Sequence, residues 1–182
     1  MQASLPATWR YSRPAIFFHW VLAALIPFQI GLGWYMLSIE HTPGSAAYFA
    51  LHVSLGLTAA LLIALRLMWR LNNRPIPLPA TLPAWQVKVA NLTHVLLYIL
   101  LVLMPITGFL GVSVSGEPIA FFGTPLPVWT SGNDTLKEQL FTAHSIIAWA
   151  LVALVSLHVL GALKHLLVDK DGVFGRMWPW QS

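Results

Sequence analysis

LFTAHSIIAWALVALVSLHVLGALKHL, residues 140–166, is an apolar run that carries two histidines, His144 and His158, fourteen residues apart. An α-helix rises ~1.5 Å and turns ~100° per residue, so the two imidazoles stand ~21 Å apart along the axis and ~40° short of four full turns. They share nearly one face of the helix at two depths. In a bilayer with an apolar core ~30 Å thick, one histidine lies toward each leaflet. The rest of the chain must then supply partners at two matching levels.

The composition makes the membrane reading firm. Of 182 residues, 57% are hydrophobic and 9% charged, and the mean hydropathy is +0.71. Soluble domains are about a quarter charged. The length allows about four spans and no large soluble domain. The chain has no cysteine, which excludes disulfides, thiolate-bound iron–sulfur clusters and covalently attached haem of the CxxCH kind. The net charge of +4 follows the membrane rule below and is no signature of nucleic-acid binding. The first apolar run lacks a small-residue cleavage site and reads as a retained span.

Four spans are expected, at about 15–38, 46–69, 87–114 and 140–166, forming one all-α domain over 1–182. Pro27 and Pro105 fall inside spans and predict bends. The proline-rich stretch 71–86 is expected to be a non-helical surface loop. Residues 115–139 read as a longer Gly/Pro-rich loop with Trp129, ending at Asn133 or Asp134 as N-cap of the last span. The tail from Val168 is polar and aromatic, too short for a fifth span. Tryptophans near span ends, Trp9 and Trp129 among them, form an aromatic belt.

Four spans place both termini on one side. Arg10, Arg13, Arg66, Arg70, Arg74, Lys88, Lys164, Lys170 and Arg176 fall there, and only Lys137 falls on the other. That asymmetry puts both termini in the cytoplasm. Glu40, Glu117, Asp134 and Glu138 fall outside, so the outer face is formally acidic.

Ionisable side chains within a span are costly and are functional by default. By depth, His52 matches His144 near the outer face, and His19 or His94 matches His158 near the inner face. The aromatic run Phe17-Phe18-His19-Trp20 could wall a flat cofactor, which favours His19; Asn91 and Thr93 could satisfy His94 as an ordinary polar residue. His41 lies in a loop and reads as solvated. His165 lies on the face of His158, two turns nearer the cytoplasm, and could reach a propionate or a quinone, or simply snorkel to the interface.

Two neutral imidazoles on one iron give a six-coordinate centre with no open position, which moves electrons and does little else. Zinc would need four tetrahedral ligands at each site, and no Asp, Glu or Cys accompanies these histidines. Gly56 and Gly161 lie on their ligands' faces, where a macrocycle needs bare backbone. Arg13, Arg66 and Arg70 are candidates to pair with inner haem propionates.

With these residues in hand, the chain resembles the bacterial cytochrome b561 family, related to hydrogenase cytochrome b subunits. The resemblance rests on the ordered set YSRPAIFFHW, LHVSLG, THVLLYILLVLMPITG and AHSIIAWALVALVSLHV. It implies a four-helix membrane bundle of the bacterial inner membrane with two haem b groups, one on His19 and His158 and the other on His52 and His144. It implies quinone-linked electron transfer, with His165 near the quinone; some members are superoxide oxidases that reduce ubiquinone. An alternative within the resemblance is a membrane-anchor subunit for a hydrogenase or other dehydrogenase partner. No catalytic side chain is expected. Superoxide is an anion, and the acidic outer face does not steer it inward.

Overall fold

The computed structural model describes residues 10–73, 77–79, 81–127 and 132–180. Trp9, Arg74 and Trp129, named above, lie outside the described residues. Four long helices dominate: α1 (Arg13–Ser38), α2 (Ser45–Asn72), α3 (Ala84–Ser113) and α4 (Asp134–Lys164). A short antiparallel hairpin, β1 (Ile119–Phe121) and β2 (Thr124–Leu126), lies between α3 and α4. All four helices are long and apolar enough to cross a membrane.

Local chemistry sets the helix ends. Pro14 falls in the first turn of α1, where its missing N–H is no loss. Asn133 caps α4, its side-chain oxygen accepting the Leu136 N–H at 3.0 Å. α1 and α3 continue through Pro27 and Pro105 as unbroken helical segments. The helices exceed the expected spans by three residues or more at three ends. Residues 71 and 72 finish α2, and 84–86 begin α3 directly after Pro83. Proline is disfavoured in a helix interior but not at the residue before a first turn, so the stretch expected to be wholly non-helical is helical at both margins. Likewise residues 134–139 belong to α4, because the cap at Asn133 starts the helix before the apolar run does.

The helices run up and down. α1 packs on α2, α2 on α3, and α3 on α4, while α1 and α4 are not among the closely packed pairs. The buried core is small: Leu22, Ala59 and Ile63, flanked by Leu25, Ile26, Leu62, Leu101 and Val102. It sits at mid-height, between the two histidine levels. Leu151, seven residues from both His144 and His158, is 1% exposed. Elsewhere large apolar side chains stay on the outside, including Leu61, Ile146, Trp149 and Leu160. In water such a surface would associate; in lipid it is the solvent-facing side.

The two ends of the bundle differ. At the termini end, the tail folds back. Tyr11 donates its N–H to the Arg176 carbonyl at 3.2 Å, Trp20 Nε1 donates to the Met177 carbonyl at 2.7 Å, and Arg10 donates to the Trp178 carbonyl. The tail is therefore no fifth span. Arg176 is buried with its guanidinium 5.3 Å over the Tyr11 ring. Burial draws its pKa below the ordinary value, an effect the Tyr11 side chain opposes. At the opposite, hairpin end, Ile119 is buried and the Phe122 N–H donates to the Ser54 hydroxyl of α2 at 3.0 Å.

Candidate cofactor site

Five histidines point into the bundle at two levels. Toward the hairpin end, His52 of α2 faces His144 of α4 with ring centroids 6.3 Å apart. Toward the termini end, His19 of α1 faces His158 of α4 at 6.1 Å. His94 of α3 also approaches His158, at 5.2 Å. These distances discriminate. A metal ion held at ~2.0 Å by one nitrogen from each ring separates the two ring centres by about 6.2 Å. Both level-matched pairs fit that span. His94 and His158 are about 1 Å too close to hold an ion between them. His94 is thus brought to the same level as the other two but is the poorer partner.

Neighbouring groups fit the imidazoles to ligation. At His144, Nδ1 donates to the Met104 carbonyl at 3.0 Å, and Thr107 Oγ1 lies 3.2 Å away. A carbonyl only accepts, so Nδ1 carries the hydrogen and Nε2 is left bare for a metal. His52 Nδ1 is buried with no hydrogen-bond partner among the described residues, and Gln29 Nε2 donates to the His52 carbonyl at 2.5 Å. Glycines let these rings lie against the next helix. A Cβ on Gly33 would come within 3.1 Å of His52, and one on Gly108 within 2.8 Å of His144. Gly161, beside His158, has nothing within 4 Å of the place a Cβ would take, so the backbone there borders open space. Gly56 differs from the expectation: its Cβ would meet Gln29 Nε2 at 3.1 Å, so it serves a packing contact.

At the termini end Arg66 enters the bundle. Its Nε donates to the Tyr98 hydroxyl at 3.2 Å, Nη1 to the Ala15 carbonyl at 3.0 Å, and Nη2 lies 3.4 Å from His19 Nδ1. Arg70 stacks its guanidinium 5.1 Å over the Tyr98 ring. Arg13 is exposed at the start of α1.

Beyond α4 the chain makes one π-turn, His165–Asp169, and Lys170 follows in the left-handed region at φ 52°. This reversal brings Asp171 back to His165, whose Nδ1 donates to Asp171 Oδ2 at 2.7 Å. Asp169 Oδ2 lies 3.5 Å from the same nitrogen and 2.5 Å from Lys164 Nζ. His165, Lys170, Phe174 and Trp178 line a cavity of about 410 Å³ at this end. A larger groove of about 630 Å³, lined by α4 residues including Phe141 and Trp149, holds none of the histidines. His41 is exposed in the turn between α1 and α2.

Sequence reasoning found the histidines and Arg66. It missed Gln29, the Met104 carbonyl, Thr107 and Asp171, and the room that Gly33 and Gly108 make for the rings. Pairing the levels of Gly33 with His52, and of Gly108 with His144, was the available signal.

The sequence profile of prokaryotic cytochrome b561 matches residues 10–180. Among curated relatives, cytochrome b561 homolog 2 of Escherichia coli (strain K12) is 30% identical over 92% of this chain and 90% of its own length. Cytochrome b561 homolog 1 of the same organism is 26% identical, covering 93% and 97%. A protein of Yersinia pestis named probable superoxide oxidase CybB is 27% identical, covering 93% and 96%. With its four membrane-length helices and these matches along nearly its whole length, the chain belongs to the prokaryotic cytochrome b561 family.

Proposed function

We propose that this membrane cytochrome holds two haem b groups, one between His52 and His144 and one between His19 and His158, and carries electrons across the bacterial inner membrane to the quinone pool. The observation that carries this reading is the pair of histidine pairs, 6.3 and 6.1 Å between ring centres, one above the other in one bundle. A bis-imidazole haem supplies a one-electron couple with no open coordination position. The residues do the rest. Met104 fixes the tautomer of His144, the Gly33 and Gly108 backbones make room for the ligand rings, and Leu151 fills the space between levels. Both termini lie in the cytoplasm.

Quinone reduction consumes two electrons and two protons, and the cavity beside His165 is the place proposed for it. Asp171 holds His165 by Nδ1–H, which leaves Nε2 of the neutral ring as an acceptor for the hydroxyl of the reduced quinone. Phe174 and Trp178 suit a flat ring. The donor acts at the hairpin end and gives one electron at a time. For superoxide, the family activity named for one relative, the acidic residues Glu40, Glu117, Asp134 and Glu138 oppose approach. Ubiquinol formation under a superoxide flux should therefore rise with ionic strength as that repulsion is screened; a fall would place a positive funnel at this face.

The test of the whole reading is the haem content of purified protein with its reduced-minus-oxidised spectrum. Two haems per chain with a b-type spectrum are expected. One haem, or none, overturns the two-level assignment. His52→Ala and His144→Ala should each leave one haem, and the same one.

A further inference from the structure

The two histidine pairs have similar ring spacing but opposite electrostatic surroundings. At the hairpin end His144 Nδ1 faces a carbonyl oxygen at 3.0 Å, and the polar side chains nearby, Gln29 and Thr107, are neutral. At the termini end His19 Nδ1 faces the Arg66 guanidinium at 3.4 Å. Arginine cannot give up its proton in a protein, so this is a fixed positive charge. Its Nε and Nη1 donate to the Tyr98 hydroxyl and the Ala15 carbonyl, both neutral. Among the described residues the ion pairs involve only Lys164, His165, Asp169 and Asp171, so no carboxylate of the protein cancels Arg66. Arg70 adds a second cation one turn beyond, over the same Tyr98 ring. His94 and His158 complete the group around His19, and neither is acidic.

A charge so placed has one sign of effect on a redox centre. Reduction adds a negative charge, which an uncancelled guanidinium favours; in a low-dielectric interior the attraction is weakly screened. The second contact at each site acts the same way. A carbonyl that accepts Nδ1–H raises the donor strength of His144 and favours the oxidised metal. A guanidinium at Nδ1 offers His19 no such acceptor. Arg66 lies six residues before the end of α2, and the three contacts it makes hold it at this one site.

Resting on the two-haem reading, we infer that Arg66 is a positioning residue for electron flow: it makes the His19–His158 centre the higher-potential one, so that electrons run downhill from the hairpin end to the termini end. Arg66 contributes about a tenfold bias to the equilibrium between the two centres, which for one electron corresponds to about 59 mV.

Spectroelectrochemical titration tests this without any turnover assay. In a His144→Ala background only the termini-end haem remains, so its midpoint can be assigned. It should coincide with the higher of the two wild-type midpoints. Arg66→Gln should lower it about tenfold in reduction equilibrium, and Arg66→Lys should keep most of it. Arg70→Gln, which removes equal charge without touching His19, should shift it less. A termini-end midpoint equal to or below the other overturns the inference even if Arg66→Gln fails to assemble. So does a loaded Arg66→Gln protein with an unchanged midpoint. A protein with no haem, or one, sinks the two-haem reading itself and is told apart at the first spectrum.

Discussion

Gly108 and Gly161 are both helical glycines, and the structure gives them different duties. In a water-soluble helix glycine is about 1 kcal/mol less favourable than alanine, so each Gly→Ala change has a stabilising contribution to overcome. At Gly108 a Cβ would stand 2.8 Å from His144 Cε1 and 3.1 Å from Nδ1. The ring must move and the bond to Met104 is lost with it. Gly108→Ala is expected to leave one haem per chain, with the His19–His158 centre retained, as read from the haem-to-protein ratio. At Gly161 the Cβ meets nothing in the protein. Gly161→Ala should therefore raise the melting temperature of haem-free protein and lower its haem occupancy. A variant that stayed fully loaded would show that no macrocycle crosses that backbone. The histidines were legible in the sequence because a polar ring in an apolar run stands out and its depth can be counted. Their supports were not. Gln29, Thr107 and the Met104 carbonyl matter only through contacts between helices, and no spacing along one chain announces which carbonyl will face which ring.

The elements were legible to within a turn where apolar periodicity marks them, and less so where capping decides. α4 begins at Asp134, six residues before its apolar run, because Asn133 offers its side chain to the Leu136 N–H. The hairpin of β1 and β2 escaped the sequence reading altogether. Three-residue strands have too few positions to show an alternation, and among the described residues the hydrogen bonds that tie this pair to α2 all run through one side chain, Ser54. Ser54 is 2% exposed, and its hydroxyl accepts the Phe122 N–H while donating to the Ala50 carbonyl at 2.8 Å. Ser54→Ala would leave that amide without its acceptor at a cost of about 1–3 kcal/mol. The expected result is faster hydrogen exchange across 119–126 with little change in α1 or the tail. Equal loosening at both ends would mean that Ser54 holds the bundle and not the hairpin. At the other end, the π-turn and the left-handed Lys170 make the reversal that sets Asp171 on His165. Asp171→Asn keeps the shape but weakens the acceptor. It should slow quinone reduction roughly tenfold, the scale of a weakened proton-transfer partner, and leave both haem spectra unchanged. Asp171→Glu should recover part of the rate.

At the scale of the whole molecule, the direction of electron flow depends on which way the bundle sits in the membrane. Charge is the available guide. Among the described residues, eight of the nine Lys and Arg fall at or beyond the termini end, and Lys137 alone falls at the hairpin end. Cationic segments near span ends resist translocation, so the termini end should face the cytoplasm. The polarity inferred from Arg66 would then carry electrons inward, toward the His165 cavity and a ready supply of protons. The chain has no cysteine, so a single introduced thiol reports its own side. Lys137→Cys, in the first turns of α4, should react with a membrane-impermeant maleimide in intact cells whose outer membrane has been made permeable. Lys170→Cys, in the turn beyond α4, should react only after the inner membrane is opened. Lys170 is exposed and Lys137 is half-buried, lining the groove beside α4, so both positions can be reached and a lack of labelling at one reflects sidedness. The reverse pattern would turn the bundle over. The His165 cavity would then open on the periplasm, and electrons following the Arg66 gradient would run outward from a cytoplasmic donor.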